Sequence, residues 1–103
     1  MYRRLMEHLT TAVLLLDDEL RLSWMNPAAE ALLAVSLGRV KGLGLATLLA
    51  EDDGMVEVLA KARDDQHPFT QREVRLALLG GAVVTIDYTV TPLSSVELLI
   101  EME

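Results

Sequence analysis

At the beginning of the chain, hydrophobic residues recur first with the spacing of a helix and then with the pattern of β-strands. The first ten residues carry large apolar side chains at i, i+3, i+4 and i+7, the spacing of one face of an amphipathic helix, at Tyr2, Leu5, Met6 and Leu9. A continuous apolar run, "AVLLLD", then predicts a central strand that is covered on both faces. After the polar turn 17–19, alternation of Leu20, Leu22 and Trp24 predicts a second strand, paired with the first as a hairpin.

Asn26 and Pro27 mark an abrupt change from strand to helix. Asn is a favoured N-cap, because its side-chain oxygen can accept a hydrogen bond from an unpaired backbone N–H. Pro suits the first helical position, since its missing N–H would be unpaired there anyway. The sequence therefore predicts a helix cap at these two residues, with Trp24 packing the core beneath a short helix over 27–35. Further short helices are expected near 37–40, near 45–49, and from a cap at Asp52 or Asp53 through residue 63.

The second half of the chain alternates with a period of two. Segments 72–79 and 83–91 flank Gly80-Gly81, a pair that favours a hairpin turn, and segment 96–103 repeats the alternation. The positions predicted to face inward are Val74, Leu76, Leu78, Val84, Ile86, Tyr88, Val90, Val96, Leu98, Ile100 and Met102. The pattern predicts an α+β fold with one five-stranded antiparallel sheet, short helices on one face and an N-terminal amphipathic helix.

The composition of the chain excludes several classes of protein. A chain of 103 residues forms one domain, and the absence of Cys excludes disulfides and thiolate chemistry. No uncharged stretch approaches the roughly 20 residues of a membrane-spanning helix. The net charge of −7 comes from the second half, where eleven acidic residues oppose four basic ones, so no nucleic-acid partner is expected. A cytoplasmic protein without membrane contact is the expectation.

Residues 13–36, "VLLLDDELRLSWMNPAAEALLAVS", resemble PAS domains, in which an apolar strand ending in Asp, a turn, a second strand and Asn-Pro-Ala-Ala often follow one another. Many PAS domains have Gly where this chain has Leu20, and its form is more similar to the N-terminal sensor domain of NtrB-type nitrogen-regulation histidine kinases. The resemblance implies a single PAS domain over 1–103, with a dimerisation or capping helix at 1–10 and a core at 11–103. It also implies a piece of a larger kinase, because the phospho-acceptor and ATP-binding motifs are absent.

The resemblance carries expectations about partners and mechanism. It implies a homodimer through Tyr2, Leu5, Met6 and Leu9, downstream kinase domains in the parent chain, and a regulatory signal-transduction protein upstream. The domain itself is expected to have no enzymatic activity and to transmit a signal through its last strand. Cofactors are not expected, since PAS domains bind haem through a His on the long helix and form a flavin adduct through a Cys, and this chain offers neither.

Two other functions stay open at this stage. A ligand pocket between sheet and helices would be lined by Trp24, Ala28, Leu32, Leu48, Leu49, Val74, Leu76, Ile86 and Tyr88. These side chains are mostly aliphatic, which favours a filled core over a roomy cavity. A small α+β enzyme could use Asp87 as a general base if that residue were buried in a cavity. His67 lies near two acidic residues, but without the spacing of a metal site.

Overall fold

The structure, a computed structural model, describes residues 11–103; the predicted N-terminal helix and its four apolar residues lie outside the described part. Within these residues the chain forms six strands: β1 Ala12–Asp17, β2 Leu22–Met25, β3 Leu49–Glu51, β4 Phe69–Leu78, β5 Val83–Ser94 and β6 Glu97–Met102. Three α-helices and one 3-10 helix lie between β2 and β4: α1 Pro27–Leu33, α2 Leu37–Val40, the 3-10 helix Leu45–Leu48 and α3 Met55–Asp65.

All six strands belong to one antiparallel sheet in the order β2-β1-β6-β5-β4-β3. The last strand, β6, therefore lies in the middle of the sheet between β1 and β5. The expected count of five strands is wrong, because Leu49 ends the 3-10 helix in an extended conformation and pairs with Leu78 of β4. A three-residue edge strand is too short for a period-two pattern to show.

The main core lies between the sheet and the helices, all of which contribute to one cluster of buried residues. Ala29 and Leu33 are the buried residues of α1, while Ala28 and Leu32 are half-buried at the edge of the same cluster. The α1 helix ends at Leu33, two residues earlier than expected, because Ala34 adopts a left-handed conformation.

A β-bulge in β2 reverses the expected facing of Trp24. Leu15 pairs with Trp24 but Leu16 pairs with Leu22, so Ser23 is an extra residue in β2. An inserted residue breaks the period of two. Leu22 and Met25 consequently face the helices, whereas Trp24 faces the opposite side of the sheet. The expectation that Trp24 packs beneath α1 is therefore wrong.

Asp17 closes the first hairpin without a glycine. Its Oδ1 accepts hydrogen bonds from the backbone N–H groups of Glu19 and Arg21, both at 2.9 Å, and its Oδ2 accepts from Arg21 Nε at 3.0 Å. Burial raises the pKa of the Asp17 carboxyl, but these hydrogen bonds and the Arg21 charge outweigh burial and hold the pKa below its ordinary value. The side chain thus stabilises a turn in which Leu20 has φ 60°.

Two further boundaries differ from the sequence pattern. The N-cap of α3 is Gly54 rather than an aspartate, although Asp52 still accepts hydrogen bonds from the N–H groups of Gly54 and Val56. Val96 precedes β6 and is 58% exposed, so its predicted inward position is wrong. Its neighbours in the pattern, Leu98 and Ile100, are buried. A residue in a turn is free of the strand alternation that the pattern assumes.

Candidate functional site

Asn26 is the buried polar residue at the joint between β2 and α1. Its Oδ1 accepts hydrogen bonds from the N–H groups of Ala29 (2.9 Å) and Val13 (3.0 Å), and its Nδ2 donates to the Thr11 carbonyl (2.8 Å). Pro27 follows at the first helical position. The same side chain therefore caps α1 and holds the beginning of β1, which is an architectural role that requires no catalysis.

The residues predicted to line a pocket are mostly packed in the core. Leu49, Val74, Leu76 and Ile86 are buried in the main cluster, and Ala28 and Leu32 pack against it. Trp24 is on the other face of the sheet. Leu48 is the one member of this set that also lines an apolar groove at the surface of the domain.

An apolar groove of about 420 Å³ lies between the end of α1, the 3-10 helix and the β4–β5 hairpin. Its lining includes two exposed leucines, Leu79, which is 66% exposed, and Leu43. The residues that line it are Leu33, Ala34, Val35, Val40, Leu43, Thr47, Leu48, Leu78, Leu79, Gly80 and Ala82. Its volume falls in the range of small-molecule sites, roughly 300–1,000 Å³.

A second apolar cluster lies on the sheet face opposite the main core. Val13 and Leu15 of β1 are 1% and 0% exposed there, and they pack with Trp24 and with the half-buried Leu37 and Leu99. We call these residues the outer cluster. Elsewhere this face is mostly polar, with threonines, Asp and Glu at most outward positions of β5 and β6, and with Val83 and Leu93 exposed at the two ends of β5. The outer cluster is thus confined to one end of the sheet.

The two ends of the described chain meet beside the outer cluster. Ala12 pairs with Met102 across β1 and β6, and Thr11 Oγ1 donates a hydrogen bond to Glu103 Oε1 at 3.2 Å. The segment that precedes β1 and the one that follows β6 therefore start from adjacent points on the domain.

Asp87 is exposed on the polar face, beside a shallow cleft of about 180 Å³. Its Oδ1 accepts a hydrogen bond from the Glu73 N–H at 2.9 Å. The hypothesis of an enzyme that uses a buried Asp87 as its base is wrong, because the carboxylate is exposed and holds a backbone amide. His67 Nδ1 lies 2.8 Å from the Pro68 carbonyl, and residues 11–103 contain no cluster of His, Asp and Glu suited to a metal ion.

Tyr88 is a buried core residue whose ionisation opposes folding. Burial raises the pKa of Tyr88 to about 12, and the negative charges of Asp52 and Asp53 add to the effect. The folded-state pKa is above the unfolded value of about 10, so the contribution of Tyr88 to stability is complete below pH 10 and is lost as the pH rises toward 12.

Replacing Tyr88 by Phe should remove this pH dependence. Between pH 10 and 12 the wild type is expected to lose up to about 1.4 kcal/mol per pH unit relative to Tyr88→Phe, because only the wild type must keep a phenol neutral. Urea denaturation at several pH values measures the difference. Tyr2 is common to both proteins and cancels in the comparison. Parallel pH profiles would contradict the prediction.

Residues 1–100 match the family model described as the PAS fold. The chain belongs to the PAS family. This PAS domain is therefore a sensory domain rather than a catalytic one. The expected PAS fold, α+β with one antiparallel sheet and short helices, is confirmed. Within residues 11–103, no helix combines the length and apolarity that crossing a bilayer requires.

The PAS domain resembles the sensor domains of nitrogen-regulation kinases. The "Sensory histidine kinase/phosphatase NtrB" proteins of Escherichia coli O157:H7 and Shigella flexneri are each 32% identical to it over 77 residues. The match covers 75% of this chain but only 22% of each relative. The solved PAS domain of nitrogen regulation protein NR(II) from Vibrio parahaemolyticus superposes with a TM-score of 0.84 at 27% identity, covering 100% of this chain and 96% of that one.

A more distant structure shows the fold alone. An RNA-binding Light-Oxygen-Voltage receptor superposes with a TM-score of 0.84 at 18% identity, covering 99% of this chain and 31% of the receptor.

The sequence pattern did not identify three features of the domain: the outer cluster, the apolar groove, and the hydrogen bond between Asp87 and the Glu73 N–H. The continuous apolar run of β1 was the one available signal for the outer cluster, since it required cover on both faces. The groove depends on how closely the helices approach the β4–β5 hairpin, and the Asp87 bond depends on a bulge that shifts the register within this hairpin. The hydrophobic pattern contains neither.

Proposed function

We propose that this PAS domain is the regulatory sensor and dimerisation domain of a cytoplasmic two-component sensor histidine kinase in nitrogen regulation. It would pass a signal to kinase domains that follow it in the parent chain, under the control of a regulatory signal-transduction protein. The similarity to NtrB supports the assignment to this class of kinase. The domain would act by changing the geometry of a dimer.

The observation that carries the dimer proposal is the outer cluster. Val13 and Leu15 are as buried as the main core, on a sheet face that is mostly polar beyond the cluster. The cluster lies beside Thr11, where the segment with the apolar stripe joins β1. A short amphipathic helix is marginal alone and requires an apolar surface for its stripe. We therefore propose that Tyr2, Leu5, Met6 and Leu9 cover the outer cluster and pair with their counterparts in a second copy.

The position of the chain ends supports a route for the signal. Because Thr11 contacts Glu103, a dimer built on residues 1–10 would hold the two β6 ends close to its symmetry axis. A shift at the dimer interface would then move the segments that follow Glu103 relative to each other. Such segments would lead to the downstream kinase domains.

The double substitution Leu5→Glu with Leu9→Glu is expected to convert dimers to monomers, since it places two charges in the apolar stripe. Sedimentation equilibrium measures the mass. The control His8→Glu with Thr10→Glu adds the same two charges outside the stripe and should leave the dimer intact. An unchanged mass for the stripe variant would refute dimerisation through this surface.

The apolar groove favours a second candidate function, the binding of a small apolar molecule. Its volume of about 420 Å³ and its aliphatic lining suit such a ligand. Native mass spectrometry of the purified protein separates the two functions. A small molecule that copurifies with the chain would support ligand sensing and count against a domain that acts through its interface alone.

A further inference from the structure

The exposed polar face of the sheet contains a strained β-bulge opposite Asp87. Gln71 pairs with Tyr88 and Val74 with Ile86, so that two residues of β4, Arg72 and Glu73, lie opposite a single residue of β5. Glu73 has φ 54°, in the left-handed region. For a residue other than Gly this conformation is strained, because Cβ approaches the backbone too closely. The surrounding structure must therefore hold Glu73 in place.

Asp87 supplies the contact that holds this bulge. The bulge leaves the Glu73 N–H outside the regular strand ladder, and Asp87 Oδ1 accepts a hydrogen bond from it at 2.9 Å. The next outward residue of β5, Thr85, makes no side-chain hydrogen bond to the described part of the chain. On the other side, Thr89 Oγ1 lies 3.0 Å from Thr70 Oγ1, a contact between two side chains. Of these three residues, only Asp87 binds a backbone N–H of β4 through its side chain.

The backbone of the same residue holds the end of β6. The Asp87 N–H donates to the Glu103 carbonyl at 2.8 Å, and the Glu103 N–H donates to the Asp87 carbonyl at 2.9 Å. Glu103 also accepts the hydrogen bond from Thr11, whose carbonyl is bound by Asn26. A continuous series of hydrogen bonds thus runs from the β4 bulge through Asp87 and Glu103 to the beginning of β1.

We infer that Asp87 is a clamp that couples the strained β4 bulge to the exit of the domain at Glu103. When the exposed bulge at Arg72 and Glu73 is displaced, the Asp87 side chain loses its hydrogen bond to the Glu73 N–H. The backbone hydrogen bonds between Asp87 of β5 and Glu103 then weaken. The clamp is a conformational device that relays a change on the polar face of β4 to whatever follows β6. Its meaning for signalling rests on the proposed function, but the coupling is a property of this domain alone.

Amide hydrogen exchange measured by NMR on the 103-residue protein tests the clamp. In Asp87→Ala, protection of the Glu73 and Glu103 N–H groups is expected to fall about fivefold or more relative to the Ile100 N–H in the middle of β6, the equivalent of one hydrogen bond each. Asp87→Asn keeps the Oδ1 acceptor and should restore both amides to within about twofold of the wild type. Thr85→Ala is the matched control on the same strand and face.

The outcomes separate a clamp from a local contact. Loss of protection at Glu73 with none at Glu103 would overturn the inference, as would equal losses in Thr85→Ala. If Asp87→Ala does not fold, Glu73→Gly takes its place, because it keeps the amide and removes the backbone strain. Protection at Glu103 should then rise about fivefold, and an unchanged Glu103 would overturn the clamp. None of these readouts depends on dimerisation or on a kinase, so failure of the clamp is distinguishable from failure of the proposed function.

Discussion

Replacing Asn26 by Ala is expected to lower the free energy of unfolding by about 3–4 kcal/mol. The side chain is fully buried and serves two backbone N–H groups and one carbonyl, which the substitution leaves without this partner. An ordinary N-cap contributes about 1 kcal/mol, and each buried polar group left unsatisfied costs a further 1–3 kcal/mol. Urea denaturation of both proteins, with the m-value checked for constancy, measures the difference.

The matched control is Asp52→Ala, near the beginning of α3. Asp52 also accepts hydrogen bonds from two backbone N–H groups, but it is more exposed and water can replace it. Its loss should cost about 1 kcal/mol. If Asn26→Ala proved no more destabilising than Asp52→Ala, Asn26 would be an ordinary helix cap and not the joint between β1 and α1.

Leu15→Ala is expected to lower the free energy of unfolding by about 3 kcal/mol, as much as Leu14→Ala at the neighbouring position. Both side chains are 0% exposed, and Leu→Ala substitutions at such positions cost about 2–5 kcal/mol. They face opposite sides of the sheet, since Leu14 belongs to the main core and Leu15 to the outer cluster. Their responses to changes in the N-terminal segment should therefore differ.

The difference should appear when each substitution is combined with Leu5→Glu and Leu9→Glu. If the apolar stripe covers the outer cluster, Leu15 is already uncovered in that background, and its truncation should cost less than about 1 kcal/mol. Leu14→Ala should still cost about 3 kcal/mol. The two double-mutant cycles measure these coupling energies by denaturation. Equal costs for Leu15→Ala in both backgrounds would exclude the stripe as its cover.

Much of the packing between the sheet and the helices could be predicted from the sequence. The inward positions of β4, the cap at Asn26 and the order of the strands and helices other than β3 follow from spacing and from the chemistry of adjacent residues. For the nine residues considered as pocket or core lining, the aliphatic composition favoured a filled core, and all of them except Trp24 lie in or against the main cluster. Whether apolar side chains enclose a space or fill it depends on how closely the helices approach the sheet, which the pattern does not contain.

The sequence by itself determined the succession of the described elements other than β3, the first strand's need for cover on both faces, and the resemblance to PAS domains. These properties are local, since a hydrophobic period and a helix cap involve residues a few positions apart. Only the tertiary structure decided that Trp24 faces away from the main core, that β3 exists, and that Asp87 joins Glu73 to Glu103. Each of these depends on the register between strands, and a bulge of one residue is enough to reverse the face to which a side chain points.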